Sequence, residues 1–145
     1  MSIVREILAK KGSQVLSIGR RATVLDAALL MNEHKIGALV VIDDGRVAGM
    51  FTERDVLRRV VGERRDPATT IVDDVMTVEV VCCTQETPID EARGAMMNRR
   101  IRHLPVVDGD RRLHGMISIG DLNAWHLNTQ EQTIHLLNEY LYGRV

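Results

Sequence analysis

Gly49-Met50-Phe51-Thr52-Glu53-Arg54-Asp55 returns as Gly115-Met116-Ile117-Ser118-Ile119-Gly120-Asp121: glycine, two apolar residues, a hydroxyl residue, two variable residues, aspartate. The match runs far upstream. Val15 pairs with Val80, Val24 with Ile89, Ala27 with Ala92, Met31 with Met96, Ile36 with Ile101, Leu39 with Leu104, Val41 with Val106 and Asp43 with Asp108, each 65 residues apart. The spacing becomes 66 at Gly49 and Gly115, as one extra residue in a turn requires. Self-similarity on this scale decides the fold before any single element does. It implies one protein built from two copies of one unit, each with the same candidate ligand site.

The unit is legible element by element. Val15 to Ile18 is a short strand, and the apolar residues Val24, Ala27, Ala28 and Met31 make a helical stripe from Thr23 to His34. Ala38 to Ile42 is a buried strand, Asp43-Asp44-Gly45-Arg46 a hairpin turn, and Val47 to Phe51 the returning strand. A second helix runs from Thr52 to Val61 and ends at Gly62. The second copy predicts a strand at Val78–Cys83, a helix at Pro88–Asn98, strands at His103–Val107 and Leu113–Ile117, and a helix from Ser118. Two short helices, Ile3–Leu8 and Ile71–Met76, each feed their own repeat. The organisation is 1–63, the first repeat; 64–70, a polar linker with Pro67; 71–127, the second repeat; and 128–145, an amphipathic C-terminal helix. The fold class is α/β of the α+β kind, with two strand-helix-strand-strand-helix repeats about a pseudo-twofold axis.

Composition narrows the function. At 145 residues the chain can bury roughly 70% of its unfolded surface. Its net charge of −1 and 3% aromatic content argue against a nucleic-acid binder, which needs basic patches or stacking platforms. No apolar run spans a membrane and no cleavable leader is visible, so the cytoplasm is expected. Cys82 and Cys83 lack CxxC spacing and read as one buried and one half-buried thiol. The five histidines show no metal-ligand spacing, and no metal is assigned. No P-loop, GxGxxG or nucleophile elbow is present, so catalysis is not expected.

Thr52…Asp55 and Ser118…Asp121 also describe a helix capping box. Three features add a ligand reading: the motif occurs twice, follows a glycine and a strand, and opens a helix whose free N–H groups favour an anion. With Ile101-Arg102-His103-Leu104-Pro105-Val106-Val107-Asp108 upstream, the pattern resembles a tandem CBS-domain pair over about Ile3 to Leu127. The resemblance implies two clefts between the repeats and adenosyl ligands: AMP, ADP or ATP most often, NAD or S-adenosylmethionine in some members. It further implies a homodimer and a regulated protein that the sequence does not name.

Carried over residue by residue, Asp55 and Asp121 would hold ribose hydroxyls, and Thr52 and Ser118 would meet phosphate or ribose. Arg102 and His103 would reach phosphate. Thr77, Val80 and Leu104 would meet the adenine edge of the second cleft, walled by Val75, Met76 and Pro105. Ala9, Val15, Ala38 and Val40 are the first cleft's equivalents. Where the second copy has Arg102-His103, the first has Gly37-Ala38. Lys35 and Arg54 are the candidate substitutes for the missing strand cations. The small residues would make the first cleft roomier, suited to an extended ligand such as NAD, or would merely pack the strand. A subunit-interaction module with empty clefts is the rival reading.

Overall fold

The structure, a computed structural model, describes residues 1–142. α1 (Val4–Lys11) leads into β1 (Ser17–Gly19), α2 (Val24–His34), the hairpin of β2 (Ala38–Asp43) and β3 (Arg46–Thr52), and α3 (Glu53–Asp55). α3 widens into a π-helical segment, Val56–Val61, where the sequence predicts an ordinary helix. α4 (Val72–Val75) precedes α5 (Ile89–Arg99), the hairpin of β4 (His103–Val107) and β5 (Leu113–Ser118), and α6 (Ile119–Tyr142). This is the expected α+β order, repeated, except that the second copy lacks its first strand.

Local chemistry explains the common shape. The Thr23 hydroxyl accepts the Asp26 N–H at 3.1 Å and opens α2. Lys35 and Arg100 close α2 and α5 in the same left-handed conformation, each at φ 54°. Asp44 and Gly45 supply the two positive φ values of a tight hairpin turn. Both hairpins shift register at equivalent places, between Val41 and Ile42 and between Val106 and Val107.

The strand predicted at Val78–Cys83 does not form. β1 lies parallel to β2 over three residues. The second copy keeps only the equivalent bridge, Cys83 to Val106, with Cys83 N–H donating to the Pro105 carbonyl and Val107 N–H to that of Cys83. A parallel ladder continued toward Val81 would next need an N–H from Pro105, which has none. The two thiols still face different ways. Cys83 is buried in the second repeat's core, where burial pushes its pKa up to about 12, while Cys82 packs on the central cluster.

A second difference concerns the lead-in helices: each packs on the other repeat. Val4, Ile7 and Leu8 of α1 join Met96, Leu104, Ile117 and Leu122 in the second repeat's core. Val72 and Val75 of α4, with Met76, join Met31, Leu39 and Phe51 in the first. Backbone bonds fix the exchange: Val4 N–H to the Thr87 carbonyl, and Val72 N–H to that of Ala22, at 2.9 and 2.8 Å. The exchange explains the motif glycines. A Cβ at Gly49 would lie 2.7 Å from both Met76 Sδ and the Thr77 carbonyl oxygen, and one at Gly115 would lie 2.8 Å from a Leu8 methyl.

Between the repeats a third cluster forms from Ala38, Val40, Val47, Met50 and Val107, with Val15 and Val80 against it. Finally, α6 is one continuous helix of 24 residues, not a repeat helix followed by a separate tail. Its residues from His126 to Leu141 are exposed. The predicted end of that tail, residues 143–145, lies outside the described residues. No helix among the described residues is long and apolar enough to cross a membrane.

Candidate functional site

Both motif aspartates sit one turn inside a helix that starts directly from a hairpin strand. The hydroxyl residue ends the strand and caps the helix. Thr52 Oγ accepts the Asp55 N–H at 3.3 Å, and Asp55 Oδ2 accepts the Thr52 N–H at 3.0 Å. Ser118 Oγ accepts the Asp121 N–H at 3.1 Å, and Asp121 Oδ2 accepts the Ser118 N–H at 2.8 Å. The capping box is therefore real in both copies, and what differs is what else reaches each carboxylate.

Asp55 is buried, at 6% exposure. The Thr77 hydroxyl donates to its Oδ1 at 3.1 Å, and the Arg59 guanidinium stands 3.8 Å away. Thr77 thus belongs to the cleft of Asp55 and not, as the sequence reading grouped it, to that of Asp121. The cause is the exchange of lead-in segments, which carries Val75 and Met76 into the first repeat's core as well. Met50 and Thr77 also exchange backbone bonds at 2.9 and 2.8 Å.

The first cleft is less roomy than its small residues suggest. A Cβ on Gly37 would lie 3.0 Å from the Glu53 carboxylate, so that side chain fills the space and adds a negative charge. Ala38 is buried beside Thr52, its cross-strand partner. Lys35 serves as the left-handed cap of α2, and Arg54 is exposed. Neither is the cation beside Asp55; that place belongs to Arg59, a residue the motif does not announce.

The cleft of Asp121 is more open. The carboxylate side chain is 25% exposed, and Lys11 Nζ donates to Oδ2 at 2.6 Å and to the Met116 carbonyl at 2.8 Å. His103 begins β4 opposite Ser118. Arg102 stands exposed just before it, its carbonyl accepting the Ile119 N–H at 2.9 Å. Leu104 and Pro105 are buried behind them. Burial pushes the His103 imidazole below its ordinary pKa, Lys11 and Arg102 push the same way, and Asp121 opposes them. Partial burial pushes the Asp121 carboxyl up, but Lys11 and the Ser118 N–H outweigh it and hold the carboxyl below its usual range. The structure therefore gathers Arg102, His103, Ser118 and Asp121 and adds Lys11. That lysine was hidden because it lies on α1, at the far end of the chain from its partner. Pairing the lead-ins as well as the strands sets Lys11 near the counterpart of Thr77.

This arrangement can do two things chemically. A partly exposed carboxylate beside a helix N-terminus can accept hydroxyls, and three nitrogen-bearing side chains can meet an anion. Among the described residues no hydrogen bond joins the Ser118 hydroxyl to His103; that hydroxyl accepts the Asp121 N–H instead.

Comparison with known proteins agrees. Residues 4–62 and 72–127 each match the CBS domain. The chain is 39% identical over 126 residues to the CBS domain-containing protein CBSX3, mitochondrial, of Arabidopsis thaliana, covering 83% of this chain and 61% of that protein. It thus spans less than two thirds of that relative. It is 32% identical over 138 residues to the CBS domain-containing protein YhcV of Bacillus subtilis, covering 95% of each. A solved putative signal-transduction protein with CBS domains from Burkholderia ambifaria superposes with a TM-score of 0.82 at 39% identity, covering 89% of this chain and 96% of that one. With two matched copies, exchanged lead-in helices and a capped aspartate in each, the chain belongs to the CBS-domain family as a tandem pair.

Proposed function

We propose that the chain is a regulatory, non-catalytic module that binds adenosyl ligands, with AMP, ADP or ATP taken in the cleft of Asp121. The observation that carries this is the open Asp121 carboxylate at the start of α6, flanked by Lys11, Arg102, His103 and Ser118. The carboxylate suits a ribose diol and the nitrogens a phosphate. Charge-assisted bonds of this kind contribute roughly 1.5–3 kcal/mol each, or one to two decades of affinity. The CBS-domain pair of protein MJ0100, in complex with 5′-methylthioadenosine and S-adenosyl-L-methionine, shares the fold at a TM-score of 0.75 and 22% identity. It supplies a precedent for adenosyl ligands on this architecture. The cleft of Asp55 is the poorer host: an extended ligand such as NAD must displace Thr77 from the carboxylate and meet Glu53.

The same reading includes a homodimer. A mainly apolar groove of about 250 Å³ between α2 and the π-helical segment is lined by Met31, Ile36, Val56, Leu57 and Val61, with Asn32 and Glu53 also on its wall. Leu29, Leu57 and Val61 are more than half exposed beside it. Ile134, Leu137 and Leu141 add an apolar row on α6. That row also favours the second reading, a subunit-interaction module that works without a ligand.

Calorimetric titration with AMP and 2′-deoxy-AMP tests the assignment. Asp121→Ala should weaken AMP binding at least tenfold, and the deoxy ligand should lose a similar factor on the native chain. Equal binding of the two by the native chain would refute the carboxylate–ribose contact. No binding of either at millimolar concentration would favour the interaction module.

A further inference from the structure

Among the described residues, Lys11 is the one cation in the Asp121 cleft already committed to a partner. Its ammonium bridges Asp121 Oδ2 and the Met116 carbonyl, and so occupies part of the carboxylate that a ribose would use. We propose that Lys11 is an internal competitor that sets ligand choice: it resists a nucleoside at Asp121, and a nucleotide is admitted because its phosphate draws the ammonium off the carboxylate. This rests on reading the cleft as an adenosyl-ligand site.

The other cleft shows why the lysine is more than a strut. There the equivalent carbonyl, that of Met50, is bonded by the Thr77 N–H, and the carboxylate by the neutral Thr77 hydroxyl. Backbone and hydroxyl suffice to hold that lead-in segment in place. In the Asp121 cleft one flexible ammonium does both tasks, and it can leave. The Lys11 side chain is 36% exposed and Asp121 25%, so solvent screens the pair and little stability is lost when it opens. Arg102 and His103 stand nearby with no carboxylate of their own at hydrogen-bonding distance among the described residues. Adding Lys11 to Arg102 concentrates positive charge where an incoming dianion would sit, and His103, held below its ordinary pKa, adds a neutral N–H. A neutral nucleoside must break the Lys11–Asp121 bond without replacing it, whereas a nucleotide offers the ammonium a new partner.

The test is titration of the full chain and of Lys11→Met with adenosine and with AMP. Methionine keeps an apolar stem without the charge. Removing the competitor should tighten adenosine binding about threefold or more, while loss of the phosphate partner should weaken AMP binding at least tenfold. The two effects have opposite signs, which a merely structural lysine does not produce. Lys11→Arg, which keeps the cation, should retain the AMP preference within a few-fold. Changes of the same sign for both ligands, or no change in either, would overturn the role of Lys11 while leaving the adenosyl site standing. Failure of the native chain to bind either ligand would overturn the site itself, and Lys11's role with it.

Discussion

Alanine at Gly49 and alanine at Gly115 should differ in cost, although the two positions are equivalent in sequence. A Cβ at Gly49 meets a backbone carbonyl, that of Thr77, at 2.7 Å, as well as Met76 Sδ. At Gly115 it meets the methyl ends of Leu8, at 2.8 and 3.1 Å. A methyl end can rotate aside, whereas a carbonyl held by the Met50 N–H at 2.9 Å can yield only by breaking that bond. Overpacking costs about 1–3 kcal/mol, and replacing glycine within a strand returns about 0.5–1 kcal/mol of chain entropy. Gly115→Ala falls at the low end of the first range and should net below about 1 kcal/mol. Gly49→Ala falls at the high end, and weakening of the Met50–Thr77 bond adds about 0.5–1.5 kcal/mol, for a net of about 2.5–4 kcal/mol. Urea denaturation at pH 7 measures both. Truncating Leu8 provides an internal control: in a Leu8→Ala background the cost of Gly115→Ala should vanish. Equal costs at the two glycines, or a Gly115 cost that survives Leu8→Ala, would refute the exchanged lead-in packing as their cause.

Two further outcomes follow from the same geometry. The folded pKa of both His103 and Asp121 is depressed, so the unfolded chain binds more protons as pH falls and stability drops, first below about 6.5 and again below about 4. Burial keeps His103 depressed without Lys11, whereas the lysine is the main group holding Asp121 down, so Lys11→Met should flatten chiefly the loss below about pH 4 in urea titrations; an unchanged slope there would contradict the cluster. Truncation after Asn128 removes the exposed row Ile134, Leu137 and Leu141 and should shift a dimer toward monomer in sedimentation velocity; a native chain that is monomeric at high micromolar concentration would contradict the dimer reading.

The repeat is legible because two stretches 65 to 66 residues apart carry the same letters, and the helices, the hairpins and both capping boxes because each rests on residues close together in the chain. Thr23, Asp44-Gly45 and Thr52-x-x-Asp55 state their roles in local chemistry, and the tertiary structure had only to leave them alone. Pro105 sat in plain view as well, but its effect on the ladder appears only once Val81 and Cys83 are known to be its neighbours. What the sequence could not decide was which lead-in segment serves which cleft. Ile3–Leu8 and Ile71–Met76 are alike in their apolar spacing, so either could cover either repeat, and burial alone does not discriminate between them. The long-range backbone bonds from Val4 to Thr87 and from Val72 to Ala22 make the choice. From it follow Thr77 on Asp55, Lys11 on Asp121, and the difference between two sites that the sequence writes in nearly the same letters.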